Sequence, residues 1–208
     1  MMRIAHSTHT RWLGLAGGLV LALSVGLHAR APEPPLTTVG SAAQSATPQS
    51  LAPYVPTPQE VVDRMLEMAE VTAQDVVLDL GCGDGRIPIT AAVRYGAHGI
   101  GVDIDPVRVA ESRANAIRAG VEHLVEFRLQ DALEVDASTA TVVTLYLLSS
   151  SNLKLRPILT RQLAPGSRIV SHAFSMGDWE AERIDRFTDA NDNTRTLYLW
   201  HTDGTVRP

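Results

Sequence analysis

Val76-Val77-Leu78-Asp79-Leu80-Gly81-Cys82-Gly83-Asp84-Gly85-Arg86 reads as a strand, a tight loop and a helix start. A short apolar, β-prone run closes on an acid, three glycines then alternate with other residues, and Ile87 to Val93 can continue as a helix. Glycine suits such a loop because the chain must turn sharply and let a ligand approach the backbone. The free amides of the helix start favour a negative group, so the pattern predicts a small charged ligand. Dinucleotide sites space their glycines G-x-G-x-x-G, and here the step from Gly83 to Gly85 is one residue too short. A turn that binds nothing is the alternative that the loop alone leaves open.

The spacing downstream favours a ligand. Gly99 to Asp103 is a second apolar strand ending in an acid, and Asp103 falls 18 residues after Gly85. That is about where an α/β nucleotide fold, at ~20 residues, places the carboxylate that takes ribose hydroxyls. Asp105-Pro106 caps a helix running past Val109, Ala114 and Ile117 to a stop at Gly120, with Arg108, Arg113 and Arg118 on a solvated face. Val125 to Leu129 is a third strand whose end, Gln130-Asp131, is placed to reach a base edge. Thr141 to Leu148 reads as a central strand broken by Ser149-Ser150-Ser151-Asn152, followed by a helix over Leu153 to Leu163 and a fifth strand over Arg168 to His172. Ala181 to Phe187 begins a further strand or short helix, and Thr194 to Trp200 is the last strand. This alternation predicts a Rossmann-like, doubly wound α/β fold, its mostly parallel sheet carrying an antiparallel edge strand.

The N-terminal region differs in kind. Arg3 and Arg11 precede an uncharged run from Trp12 to Leu27, so residues 1–30 read as a signal peptide or membrane anchor, and the protein as exported or membrane-associated. Residues 31–52, rich in Pro, Ser, Thr and Ala, read as a disordered linker. The domain proper is expected over 53–202, with 203–208 as a tail. It opens on Pro53-Tyr54-Val55-Pro56, after which Thr57 and Glu60 read as a capping box for a helix from Pro58 to about Glu70. Tyr54 is a staple residue by local sequence, or else part of a lid. A net charge of −5 gives no basic footprint for nucleic acid. One cysteine, Cys82, excludes an intrachain disulfide, and no His/Cys cluster has metal-ligand spacing.

The acid-led G-x-G-x-G loop resembles motif I of the class I S-adenosylmethionine-dependent methyltransferases. With Pro53-Tyr54-Val55-Pro56, Asp105-Pro106, Gln130-Asp131, the strand ending at Tyr146, Arg168-Ile169-Val170-Ser171 and Asp178-Trp179, the chain is similar to a compact group of that class. The group includes the mitochondrial lysine methyltransferases that act on the ATP synthase c-subunit and the adenine nucleotide translocase, with their bacterial relatives. The resemblance implies S-adenosyl-L-methionine as cofactor, with Asp79 at its methionine end, Gly81, Cys82 and Gly83 along the loop, Asp103 and Ile104 near ribose, and Gln130 and Asp131 near adenine. Tyr54 and Thr57 are expected to close over it. Leu147 to Asn152 departs from the mitochondrial enzymes on the substrate side.

Tyr146 and His172, at the ends of two neighbouring strands, are the catalytic candidates. The six acids between Asp178 and Asp192 offer either attraction for a cationic substrate or a solvated face. A protein acceptor, lysine above all, is the expected substrate. A small or lipid-borne acceptor, or an exported non-catalytic ligand-binding module, is the alternative.

Overall fold

The computed structural model describes residues 50–208. The 1–30 leader reading and nearly all of the 31–52 linker reading lie outside those residues. Seven strands form one sheet in the order β3-β2-β1-β4-β5-β7-β6: β1 Val76–Leu80, β2 His98–Asp103, β3 Val125–Leu129, β4 Val142–Leu145, β5 Arg168–His172, β6 Arg183–Thr188 and β7 Thr194–His201. The first five pair in parallel, whereas β7 runs antiparallel to both β5 and β6. The antiparallel strand is therefore one position in from the edge, and β6 forms the edge itself.

Period-2 alternation explains how helices cover both faces. Val77, Val142, Val170, Leu197 and Leu199 pack with helices α1 (Gln59–Met68) and α2 (Arg86–Tyr95). Leu78, Leu80, Val143, Leu145, Ile169 and Trp200 pack with α4 (Ser149–Gln162). Helix α3 (Pro106–Ala119) seals β3 through Val109, Ala116 and Phe127. The chain enters at β1, winds outward to β3, then returns to β4 on the other side of β1. Beyond the carboxyl ends of β1 and β4 the connections diverge, which opens a crevice at that switch point.

Three local expectations are corrected. The Thr57 capping box does not form: Pro58 is the N-cap, without a side-chain bond, and the Glu60 carboxylate instead accepts the Ala190 amide at 3.0 Å. Helix α4 begins at Ser149, so Ser149 to Asn152 are its first turn and no break. Tertiary partners recruit that turn, because the Ser151 hydroxyl donates to the Leu51 carbonyl at 2.5 Å and the Asn152 amide donates to Ser171 Oγ and to the Phe174 carbonyl. Strand β4 consequently ends at Leu145, and Tyr146 starts the loop. Both sequence boundaries also move. Leu51 and Ala52 are half-buried against the core, and residues 203–208 pack back through the Arg207 amide on Thr160 and the Arg207 guanidinium over the Trp179 ring.

Candidate active site

The glycine loop leaves β1 with Gly81, Gly83 and Gly85 all at positive φ, of 79°, 53° and 78°. Other residues adopt that region only with strain. At Gly83 space is limiting as well, since an added Cβ would lie 2.5 Å from the Tyr54 ring. Asp103, at the end of β2, holds the loop: one carboxylate oxygen accepts the Gly83 amide at 2.8 Å and the other the Asp105 amide at 2.9 Å. Asp105 in turn caps α3 through Val107. One acid thus ties together the loops that leave the neighbouring strands β1 and β2.

Asp79 is buried at the floor, where Thr144 of β4 donates its hydroxyl at 2.7 Å. Burial pushes its carboxyl up to about 7, the Asp103 and Asp84 charges adding to the effect and the Thr144 bond opposing it. No cationic side chain pairs with it among the described residues. A buried carboxylate in this position stabilises a bound ammonium group and is stabilised by it. Burial and the neighbouring carboxylates hold the Cys82 thiol protonated.

Asp79, Gly81, Cys82, Gly83, Asp103 and Asp105 line a cavity of about 260 Å³ that also takes in Ile104, Gln130, Asp131, Thr57, Leu147 and Tyr146. Asp131 caps the short 3-10 turn Ala132–Glu134 by accepting the Leu133 amide at 2.9 Å. Residues 50–57 cross the cavity as a roof. Tyr54 lies on Gly83 and faces the Arg108 guanidinium at 4.5 Å, so it serves the cavity and is not a helix staple.

Tyr146 forms the wall towards β5. Its ring sits 4.0 Å from that of His172 and 6.4 Å from that of Phe174. His172, expected at the same rim, lies beneath it: it is 1% exposed and does not line the cavity. Burial, with a contribution from the Arg195 charge, pushes its imidazole down to about 4, which leaves it neutral. Ala173 follows at φ 67°, and the Phe174 carbonyl is held by both Ser171 Oγ and Asn152. The acids between Asp178 and Asp192 are largely spent within the fold. Asp178 pairs with Arg156, Glu182 with His201, Asp185 with Arg64 and Asp189 with Arg195, so they form a structured surface and no funnel for a cation.

The sequence pattern of the ANTKMT methyltransferase domain matches residues 79–183, from the acid of the glycine loop to the start of β6. The chain belongs to this methyltransferase family. It is 46% identical over 149 residues to a protein-lysine N-methyltransferase of Saccharolobus islandicus, covering 71% of this chain and 92% of that one. Against the ATP synthase c-subunit lysine N-methyltransferase of Xenopus laevis it is 31% identical over 132 residues, or 64% of this chain and 58% of the other. Among solved structures, an RNA methyltransferase from Salinibacter ruber in complex with S-adenosyl-L-homocysteine is 54% identical, with a TM-score of 0.69 over 74% of this chain and 97% of that one.

The protein is therefore an S-adenosylmethionine-dependent methyltransferase of class I fold. The residues present fit the cofactor. Glycines leave bare backbone along the loop, Asp79 offers a carboxylate lacking a cation, and Asp103 and Asp131 stand at the next two strand ends. Of the twelve residues singled out from sequence, the cavity gathers eleven, and His172 is the one set behind its wall. The lining residues that the sequence reading did not assign to the site include two cations, Arg86 and Arg108. Arg86 carried a signal, since a cation at the first position of a helix sits at the wrong pole of its dipole. Arg108 carried none, because its partner Tyr54 is 54 residues away in sequence.

Proposed function

We propose that this methyltransferase acts on the ε-amino group of lysine in a protein. The supporting observation is the likeness to the Saccharolobus islandicus protein-lysine N-methyltransferase, which extends over 92% of that protein. Bound in the crevice, the cofactor supplies an electrophilic methyl group on a sulfonium. The chain's own residues hold its two ends and present the acceptor: Asp79 takes the amino group, Asp103 the ribose, and Tyr146 borders the acceptor side. A lysine amine, with an ordinary pKa of ~10.4, must lose a proton before it acts as a nucleophile. Exclusion of water from the crevice beside Tyr146 disfavours the charged ammonium by desolvation and so favours the free base. Positioning and exclusion of water carry the rest.

RNA is the second reading, favoured by the 54% identity to the Salinibacter ruber RNA methyltransferase. The net charge of −5 weighs against a polyphosphate acceptor, whose binding draws on a basic surface. Methyl-labelled cofactor incubated with the protein and separate RNA and protein fractions distinguishes the two. Label released as methyl-lysine on protein hydrolysis supports our reading; label confined to nuclease-sensitive material overturns it.

We further propose that residues 1–30 direct the protein to a membrane or through it, on the strength of Arg3 and Arg11 ahead of the uncharged run 12–27. Among the described residues no helix is long and apolar enough to cross a membrane. Recovery of the full chain wholly in the soluble cytoplasmic fraction would contradict that proposal.

A further inference from the structure

The roof over the crevice is pinned to three different helices. The Leu51 carbonyl accepts from Ser151 of α4, Tyr54 stacks with Arg108 of α3, and the Thr57 carbonyl accepts from Arg86 Nη1 of α2 at 2.7 Å. Tyr54 also lies against Gly83, but the last of these pins hydrogen-bonds to the glycine loop. The Arg86 guanidinium gives Nε and Nη2 to the Asp84 carboxylate, at 2.9 Å and 2.5 Å, while the Asp84 carbonyl accepts from Asn115 of α3 at 2.7 Å. Arg86 is the first residue of α2, where the helix dipole opposes a cation, so the helix itself gives no reason for the charge. The reason lies in its two partners, one on the loop and one on the roof.

We propose that Arg86 is a positioning residue for methyl transfer, a latch that fixes the roof at Thr57 to the glycine loop at Asp84 and so retains the cofactor beneath Tyr54. The inference rests on the crevice being the cofactor site. The planar guanidinium is suited to this task because its fork spans two acceptors in fixed directions, whereas a lysine ammonium keeps the charge but not the fork. Arg86→Lys therefore separates charge from latch.

The test uses the full chain as wild type, Arg86→Lys and Asp84→Asn. It reads the dissociation rate of radiolabelled S-adenosyl-L-homocysteine, and hydrogen exchange at the amides of Tyr54, Val55 and Thr57. Loss of a hydrogen bond from a charged group corresponds to about tenfold in dissociation rate. Arg86→Lys should show that acceleration, with faster exchange in the roof, unchanged exchange in β1 and β4, and a rise in KM for S-adenosylmethionine that exceeds the fall in kcat. Asp84→Asn, which removes the charge and one of the two acceptor oxygens that hold the guanidinium to the loop, should loosen the same roof amides. Wild-type dissociation and roof exchange in either variant overturns the latch. Failure of the wild type to bind S-adenosyl-L-homocysteine overturns the cofactor assignment instead.

Discussion

Asp79 and His172 are buried ionisable residues of the site region, and their protonation equilibria are displaced in opposite directions. The carboxyl of Asp79 is raised from 3.8 to about 7, so without ligand the folded state binds a proton that the unfolded state has released. Its contribution to stability is present below pH 3.8 and is lost as pH rises towards 7. Asn at position 79 can still accept from Thr144 and carries no charge. Ligand-free Asp79→Asn should thus be more stable than wild type at pH 8, by about 2–4 kcal/mol, and near wild type at pH 4. Urea denaturation at the two pH values measures this. The same variant should lose most of its cofactor affinity, an exchange of function for stability. His172 runs the other way: its imidazole is depressed from 6.5 to about 4, so its contribution is intact above pH 6.5 and disappears as pH falls through 4. Compared with His172→Gln, wild type should lose stability over that window. At Tyr146 the expected effect is on the acceptor alone. Tyr146→Phe should lower kcat/KM for the acceptor about tenfold or more, while calorimetry with S-adenosyl-L-homocysteine shows wild-type affinity.

At the level of elements, the β1 loop and the ends of β2 and β3 were legible because their chemistry is local. A strand that ends in an acid and a glycine that must turn are visible within a few residues, and Asp105-Pro106 announces α3 in the same way. The roof was not legible in detail. Thr57 and Glu60 have the spacing of a capping box, yet their partners are Arg86 and Ala190, supplied by distant elements that compete successfully with the local bond. The first turn of α4 misled for the same reason, as Ser151 and Asn152 answer to Leu51, Ser171 and Phe174. Strand β2 hides a further requirement. A Cβ on Gly101 would lie 2.6 Å from Phe127 and 2.8 Å from Cys82 Sγ, so close packing under the glycine loop demands glycine there. Gly101→Ala should destabilise by about 1–3 kcal/mol in urea denaturation through overpacking.

For the whole molecule, alternation predicts the doubly wound parallel sheet up to β5, and right-handed crossovers leave few ways to wind it, of which the chain takes β3-β2-β1-β4-β5. The last two strands were foreseen as elements but not in their order. Nothing in Arg183 to Thr188 or Thr194 to His201 says which pairs with β5, and the buried Leu197, Leu199 and Trp200 of β7 win the inner place over the half-exposed β6. That topology leaves a crevice between β1 and β4 on which the three strand-end acids converge, with Tyr146 and the roof closing it. Calorimetric titration of S-adenosyl-L-methionine into the wild type and into Asp103→Ala at pH 8 is the most direct measurement on this arrangement. Micromolar binding by the wild type, with no detectable binding by the folded variant, is the expected result. Equal affinity in the two proteins would place the cofactor elsewhere and contradict the site described.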